Sequence, residues 1–256
     1  FIQGTRQFSD EFQVQGKALD NRLVYVIGGY YSNQRNLNDS NLYAFDFSPI
    51  AGGLPFAYDM TLRDISKAVF AQGTYKITDK LNLTGGFRYT WDSLSAQQGA
   101  DSVFGPHPVE HTSASNPSWT VSLDYQMTPS FLLYVTQRGS WRTGGYNYNV
   151  NPVNNTADDP VEPGNRFLPE TTKDVEVGFK YSGRDLGIPV TFNADFYNQW
   201  VNHSQRALYV IGTGGSPNLF TDNVPAAEIP GFEADATVRP APWMTLGASG
   251  AYADVR

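Results

Sequence analysis

Residues 77–92, ITDKLNLTGGFRYTWD, decide the fold because they alternate strictly between two kinds of side chain. After a short turn at 78–80, one set is apolar and ends in two aromatic residues, whereas the other is polar and includes Arg88 and Asp92. Alternation with a period of two predicts a β-strand whose faces meet different surroundings. The polar set is too hydrophilic for a dry core. The pattern therefore favours a strand with lipid on one face and water on the other, as in a transmembrane barrel.

The composition agrees with a barrel that crosses a membrane. Aromatic residues make up 14% of the 256 residues and charged residues only 17%, whereas an average soluble domain has roughly 25% charged residues. The chain has no apolar run of about 18 residues, so a transmembrane helix is excluded. The net charge of −7 argues against a nucleic-acid partner, because a phosphate backbone requires a basic surface. The absence of cysteine excludes disulfides and thiolate metal sites.

The same alternation recurs along the chain and predicts ten strands. They lie at 7–16, 22–34, 65–77, 81–92, 117–127, 131–140, 172–182, 189–201, 227–239 and 244–253. Some connections are short turns, and others are long irregular loops. The long loops are predicted at 35–64, 96–116, 141–169 and within 202–223. Such loops count against a compact soluble domain, but an outer-membrane barrel combines short periplasmic turns with long extracellular loops.

The number of strands bears on how the sheet is completed. Lipid offers no hydrogen-bond partner, so an open sheet edge is not stable in the membrane. The ten strands must close on themselves or form a section of a larger barrel. The chain begins at Phe1 without a signal peptide and ends near a strand pattern, so we expect further sequence at both ends.

The order of these segments resembles the barrel domain of TonB-dependent outer-membrane receptors. Five segments carry the resemblance, in family order and with family-like spacing. They are QFSDEFQVQG at 7–16, AVFAQGTYKITDKLNLTGGFRYTWD at 68–92, FLLYVTQRGSWRTGGYN at 131–147, FLPETTKDVEVGFK at 167–180 with FNADFYNQW at 192–200, and NVPAAEIPGFEADATVRPAPWMTLGASGAY at 223–252.

The resemblance implies an all-β fold, a section of an antiparallel transmembrane barrel of about 22 strands. Residues 1–256 would supply about ten of these strands as one domain. The plug domain, with its TonB-contact box, is not in this sequence. The implied location is the outer membrane of a Gram-negative bacterium.

The implied function is to bind a scarce nutrient outside the cell and to import it. The family's commonest ligand is a ferric siderophore, and cobalamin, haem and glycans are the other possibilities. The expected partners are this nutrient, outer-membrane lipid and lipopolysaccharide, TonB–ExbB–ExbD acting through the plug, and a further chain or segments that complete the barrel. Such a receptor is not an enzyme and needs no resident cofactor.

Two other functions stay open from the residues alone. A passive porin would share the strand pattern but lack the plug and conduct ions through an open lumen. A soluble all-β ligand-binding domain would fold in buffer without detergent.

Charged residues at the polar strand positions are expected to face the lumen. A basic residue facing lipid at the midplane would cost roughly 2–4 kcal/mol. This lumen-facing set comprises Arg88, Asp124, Arg138, Glu176, Lys180, Asp195, Glu233, Asp235 and Arg239. Its members are expected to pair with one another or with the plug, and a few could guide a charged ligand.

Ligand contacts are expected from aromatic residues and arginines, which offer a large contact area with a polar end. The candidates are Trp141, Arg142, Tyr146, Tyr148, Arg138 and Arg88. Other aromatic residues are expected to anchor the barrel at the edges of the bilayer. This girdle comprises Tyr89, Trp91, Trp119 and Tyr125.

We expect neither a metal site nor a catalytic site. The motif HPVEH at 107–111 falls in a predicted loop with a proline, so its two histidines lack the helical spacing of a zinc site. The acidic cluster of Asp158, Asp159 and Glu162 fits no EF-hand and is interpreted as a solvated loop facing lipopolysaccharide. The segment 143–145, TGG, belongs to no nucleotide motif and is interpreted as a bend after the sixth strand.

Overall fold

The structure, a computed structural model, describes residues 2–42, 56–99, 107–147, 166–211 and 217–256. Across these ranges, no α-helix has the length and apolarity that a membrane span requires. The strands are β1 Ile2–Ala18, β2 Leu23–Leu42, β3 Phe56–Lys76, β4 Leu81–Gln98, β5 His107–Thr128, β6 Phe131–Arg142, β7 Gly145–Tyr146, β8 Arg166–Phe167, β9 Glu170–Asp185, β10 Ile188–Ile211, β11 Pro217–Ala241 and β12 Met244–Ala253.

Ten of these strands form one antiparallel sheet in which each is paired with its neighbours in the chain. Its order is β1-β2-β3-β4-β5-β6-β9-β10-β11-β12, and β7 and β8 form a separate small pair. The predicted ten-stranded antiparallel fold is therefore confirmed. Within the described residues, β1 and β12 are each paired on one side only, so the sheet is a section of a barrel and not a closed cylinder.

The outer ends of the strands correct the predicted loop boundaries. Strand β3 begins at Phe56 and not at 65, β5 begins at His107 and not at 117, and β10 continues to Ile211. The membrane alternation does not continue into them. Residues 107–116 are polar at most positions, and in 56–64 the apolar set that includes Met60 and Leu62 falls on the inner face instead. The backbone ladder nevertheless continues to pair the strands. The predicted loop residues 43–55, 100–106, 148–165 and 212–216 lie outside the described residues.

The register confirms that each strand has an apolar and a polar face. Phe87 pairs with Ala71 on one side and with Trp119 on the other, whereas Arg88 pairs with Phe70 and Ser118. Directly paired residues project to the same side of a sheet, so the two faces are continuous across strands. The apolar face is largely uncovered by protein, as the 71% exposure of Phe12 shows.

The apolar part of the outward face has the width of a bilayer. In β4 it runs from Leu81 to Trp91, and a tilted strand needs about 9–11 residues to cross the hydrocarbon core. The short connections 19–22, 77–80, 129–130, 186–187 and 242–243 all lie at one end of the sheet. Residues such as 56–64 of β3 lie beyond the bilayer at the other end.

The tightness of the short turns rests on unusual backbone angles. Leu19, Asp20 and Asn21 have φ values of 54°, 56° and 65°, and Gly187 has a φ of 81°. The Arg22 side chain then donates to the carbonyl oxygens of Lys76 and Ile77, which joins the first turn to the second.

Candidate functional site

A cavity of about 480 Å³ opens on the concave, polar face, near the end of the sheet opposite the short turns. One wall comes from β2, β3 and β4 and includes Gln34 and Asp64. The facing wall comes from residues 143–147 with Phe167, and from Gln205 and its neighbours on β10 and β11. The volume lies within the range of about 300–1,000 Å³ that small-molecule sites occupy. Because residues of distant strands face each other across it, the polar face is the inner face of the curved sheet.

Asn147 attaches residues 143–147, the inward-folded segment, to the sheet. Its side-chain Nδ2 donates to the carbonyl oxygen of Thr221 at 2.7 Å, and its Oδ1 accepts from the Thr221 amide at 2.6 Å. Asn223 holds residues 166–168, the arm of the β6–β9 connection that leads into β9, since its Oδ1 accepts from the Leu168 amide at 2.6 Å. Its Nδ2 donates to the carbonyl oxygen of His203 at 2.7 Å. Both arms of the β6–β9 connection are therefore fixed against β10 and β11.

Gln205 joins the two arms of the β6–β9 connection, which leave β6 at Thr143 and approach β9 at Leu168. Its Nε2 donates to the carbonyl oxygens of Thr143 and Leu168, each at 2.9 Å. Its amide donates to the carboxylate of Glu170 at 2.7 Å, and Arg142 donates to the same carboxylate at 2.8 Å. Burial alone would raise the pKa of Glu170, but the hydrogen bonds from Gln205 and Arg142 outweigh it and hold this pKa below its usual value. Glu170 is therefore the charged centre of the attachment.

Two glycines let the segment pack closely against Phe167. A Cβ added at Gly144 would lie 2.1 Å from the carbonyl oxygen of Phe167, and one added at Gly145 would lie 2.6 Å from its ring. The predicted bend at 143–145 is thus the point where the chain turns inward to form the β7–β8 pair. Tyr146, a predicted ligand contact, follows directly, lines the cavity and is only 8% exposed.

Two carboxylates stand close together at the wall of the cavity. In each of Asp64 and Asp92, the Oδ1 atom is buried and has no hydrogen-bond partner among the described residues. Burial, and next the nearby charge of Asp92, raise the pKa of the Asp64 carboxyl above its usual value. The cavity wall therefore carries, at Asp64, a carboxylate oxygen that makes no hydrogen bond among the described residues.

This pair predicts a pH-dependent effect of Asp64→Asn. A raised native pKa means that the folded state holds the proton more tightly, so ionisation of Asp64 lowers stability as pH rises above the usual value of 3.8. We expect Asp64→Asn to raise the unfolding free energy at pH 7 by less than about 1 kcal/mol, since water screens the half-exposed pair. Urea unfolding of the complete receptor should show this gain shrinking as pH falls toward 3.8. Asp79→Asn, in an exposed turn, is the matched control, and an equal gain there would refute the explanation.

Arg88 lies on the inner face but is not part of the cavity wall. Its guanidinium stands 5.1 Å from the ring centre of Tyr30 and 5.6 Å from that of Phe70. Its Nε also donates to Thr90 Oγ1 at 3.2 Å. This contact between a cation and two aromatic faces positions Arg88 below the cavity.

A second polar cluster crosses β6 and β9 on the inner face. Arg138 donates from Nε to both carboxylate oxygens of Asp174, at 2.9 and 3.2 Å, and contacts Glu176 through Nη2. Tyr134 donates to Glu176 at 2.7 Å, and the ammonium of Lys180 stands 5.5 Å from the Tyr134 ring centre. Predicted lumen charges are thus brought together, one strand away from the cavity.

The other predicted lumen charges also lie on the inner face by register. Asp195 pairs with Glu233. Asp235 accepts from Asn193 at 3.1 Å, and Asp124 accepts from Ser122 at 3.1 Å. Arg239 donates to the carbonyl oxygen of Pro242 at a short turn, far from the cavity. Whether any of these groups contacts a ligand or a plug stays a prediction.

The remaining predicted ligand contacts are divided by the structure. Trp141 pairs with Thr171 in the outward row that also contains Gly139, so it does not line the cavity. Tyr148 lies outside the described residues. Sequence reasoning missed Asn147 and Gln205, because amide side chains are typical of any solvated loop and only their backbone contacts reveal their role.

The predicted girdle residues all lie in outward rows of the sheet. Trp91 is 46% exposed, and its ring centre stands 4.8 Å from that of Tyr89. Trp119 covers Gly139 and donates to Gln137 at 2.7 Å. Tyr125 is outward too but lies near the short turns. Their role as bilayer anchors stays a prediction.

The three histidines were predicted to lie in loops, but the structure places them in strands. His107 and His111 belong to β5, and His203 belongs to β10, where it has a φ of 52°. No group of three or more potential metal ligands is found among the described residues. The acidic cluster 158–162 lies outside these residues.

Comparison with known proteins supports this architecture along the chain. A family model described as the β-barrel of TonB dependent receptor-like proteins matches residues 1–255. The pesticin receptor of Yersinia enterocolitica is 24% identical over 234 residues, which are 90% of this chain and 31% of the receptor. The chain thus spans about a third of the length of that relative.

Solved structures show the same fold. The ferric yersiniabactin uptake receptor FyuA of Yersinia pestis superposes with a TM-score of 0.74 at 20% identity, over 99% of this chain and 36% of that one. The ferric preacinetobactin receptor BauA of Acinetobacter baumannii gives a TM-score of 0.67 at 15% identity, over 99% and 37%. The copper transporter OprC gives 0.73 at 17% identity, over 98% and 38%. The chain therefore belongs to the TonB-dependent receptors of the Gram-negative outer membrane and forms a section of their β-barrel.

Proposed function

We propose that this chain takes part in the capture of a ferric siderophore outside the cell and in its import with energy from TonB, ExbB and ExbD. The observation that carries the proposal is the cavity on the inner face, beyond the bilayer, bounded by the inward-folded segment 143–147. Its volume of about 480 Å³ suits a small chelate and is far too small for a protein ligand.

The proposed ligand class is supported by similar proteins. The solved structures that this chain resembles include receptors named for ferric yersiniabactin, ferric preacinetobactin and alcaligin. Iron enters in this proposal as part of the cargo, and we propose no resident cofactor for the chain. TonB, ExbB and ExbD would act through a plug domain, and lipid and lipopolysaccharide would surround the outward face.

Two observations favour this function over the alternatives. The family model that matches residues 1–255 describes TonB-dependent receptors rather than porins. The aromatic side chains of the outward face, such as Phe12 at 71% exposure, need a lipid covering that a soluble ligand-binding domain would not have. The family consists of transport receptors, and we propose no enzymatic step for this chain.

A panel of defined ligands tests the proposal. The complete receptor, purified in detergent, is titrated with ferric yersiniabactin, a ferric catecholate, ferric alcaligin, ferric preacinetobactin and Cu²⁺, with quenching of tryptophan fluorescence as the signal. We expect one ferric chelate to bind with a Kd below about 1 μM. Failure of every ferric chelate, together with ohmic conductance in a planar bilayer, would support a porin instead.

Tyr146→Ala tests whether the cavity is the binding site. Removal of this nearly buried ring should weaken binding of the chelate by about 5- to 150-fold, because a buried aromatic contact contributes roughly 1–3 kcal/mol. Tyr181→Ala, whose hydroxyl donates to Asp185 near a short turn, is the matched control and should leave the Kd unchanged. Equal effects of the two changes would place the ligand elsewhere.

A further inference from the structure

Three arginines form a continuous row on the outward face of the first three strands. Arg6 pairs with Arg35 in the β1–β2 ladder, and Arg35 pairs with Arg63 in the β2–β3 ladder. Paired residues project to the same side of the sheet, with neighbouring strands about 5 Å apart. The row therefore places three guanidinium groups within roughly 10 Å along one line. Like charges directly opposite one another destabilise a sheet, so this arrangement calls for an anion.

On the outward face, no carboxylate among the side chains that the structure describes lies directly beside this row. All three arginines are exposed, and none enters the ion pairs formed among the described residues. Arg63 donates from Nε to the side-chain oxygen of Asn33 at 3.1 Å, a neutral contact that holds its guanidinium on the outer surface. Among the described side chains of β1–β4, Asp10 is the one carboxylate on this face. It shares a lower row with Tyr31 and Lys67, so a cation is already nearby.

The position of the row relative to the bilayer identifies the kind of anion. Lys67 pairs with Trp91, an aromatic residue of the type that marks the edge of a bilayer. Arg63 lies four residues farther from the short turns, which is roughly 13 Å along a tilted strand. Phe8, 63% exposed, lies two residues below Arg6 on the same face, between the arginine row and the level of Trp91. The row thus lies beyond the edge of the hydrocarbon core, at the level of the outer headgroups.

We propose that Arg6, Arg35 and Arg63 form a binding site for the phosphate groups of lipopolysaccharide in the outer leaflet. A guanidinium binds phosphate oxygens through two parallel hydrogen bonds, which suits arginine to this role. A phosphate attached to acyl chains meets the guanidinium row and the apolar belt together, whereas free phosphate meets only the row. The site is separate from the cavity, because it lies on the opposite face of the same strands.

Binding of lipid A to the complete receptor tests this site. The wild type and the triple variant R6Q/R35Q/R63Q, in neutral detergent, are titrated with bisphosphorylated lipid A, with dephosphorylated lipid A and with inorganic pyrophosphate. Each cation near a membrane surface contributes about fivefold, so we expect the triple variant to bind bisphosphorylated lipid A about 100-fold more weakly. The variant R6K/R35K/R63K keeps the charge and should retain part of the affinity. For the wild type, dephosphorylated lipid A and pyrophosphate should each bind more weakly than bisphosphorylated lipid A.

A matched change of charge at the other end of the sheet provides the control. K17Q/K80Q/R184Q removes three exposed cations near the short turns and should bind lipid A like the wild type. Wild-type affinity in the R6Q/R35Q/R63Q variant would overturn the proposal. So would equal losses in the two triple variants, or equal binding of phosphorylated and dephosphorylated lipid A. Tight binding of pyrophosphate that matches lipid A would assign the row to free phosphate instead. None of these results depends on binding of a ferric chelate.

Discussion

Leu123→Arg is expected to lower the unfolding free energy of the receptor in lipid by about 2–4 kcal/mol, the cost of a basic side chain facing the middle of a bilayer. Leu123 lies in the middle of the membrane-crossing part of β5 and pairs with Leu83 and Val135 in an outward row. A guanidinium at this position would lie in hydrocarbon, far from either interface. Urea unfolding in phospholipid vesicles measures the difference, and the amount of heat-modifiable receptor in the outer membrane reports it in cells.

The adjacent residue supplies the matched control. Ser122 faces the lumen, where its hydroxyl stands 2.9 Å from that of Thr136 and donates to Asp124 at 3.1 Å. Ser122→Arg adds the same side chain beside a carboxylate and in water, so it should cost less than about 1 kcal/mol. Equal losses for the two variants would mean that the faces of β5 are not distinguished by lipid.

Asn147→Ala is expected to weaken binding of the ferric chelate by up to about 30-fold. The change removes both hydrogen bonds between Asn147 and the backbone of Thr221, each worth about 1 kcal/mol. The inward-folded segment would then be attached in a smaller fraction of molecules, and the apparent affinity falls in proportion to that fraction. Fluorescence titration measures the affinity, and amide hydrogen exchange of residues 143–147 measures the attachment.

Asn193→Ala separates this effect from a general loss of polar contacts. Asn193 also makes two side-chain hydrogen bonds on the inner face, both to Asp235, but it does not line the cavity. The variant should bind the chelate like the wild type and show unchanged exchange at 143–147. An unchanged Kd in Asn147→Ala would show that attachment of the segment does not control binding.

The cavity residues show how far the sequence could lead to the site. Tyr146 was predicted because aromatic residues in long connections often contact ligands, and it does line the cavity. Trp141 was predicted for the same reason, but β6 continues to Arg142, so the parity of the strand turns Trp141 outward. Because the strand was predicted to end at residue 140, its alternation could not predict whether Trp141 faces the lumen or the lipid.

The extended strand ends show the same limit for the fold. The alternation around Phe87 predicts β4 well, because lipid and water act on opposite faces of every residue there. From Leu94 onward the lipid-facing row ends, while Leu94 lines the cavity and Ala96 is only 7% exposed, and backbone pairing continues β4 to Gln98. Composition does not distinguish such a strand from a loop.

Alternation with a period of two, a local property, was sufficient to assign the strands and their lipid-facing side, whereas the family followed from the resemblance of five sequence segments. The tertiary structure decided which inner surfaces face each other. Asp64 and Gln205 meet across one cavity although they are far apart in the chain. The alignment of Arg6, Arg35 and Arg63 likewise depends on the register of three strands. Register, curvature and the inward fold at Asn147 arise from hydrogen bonds between distant segments, and no local pattern of residues encodes them.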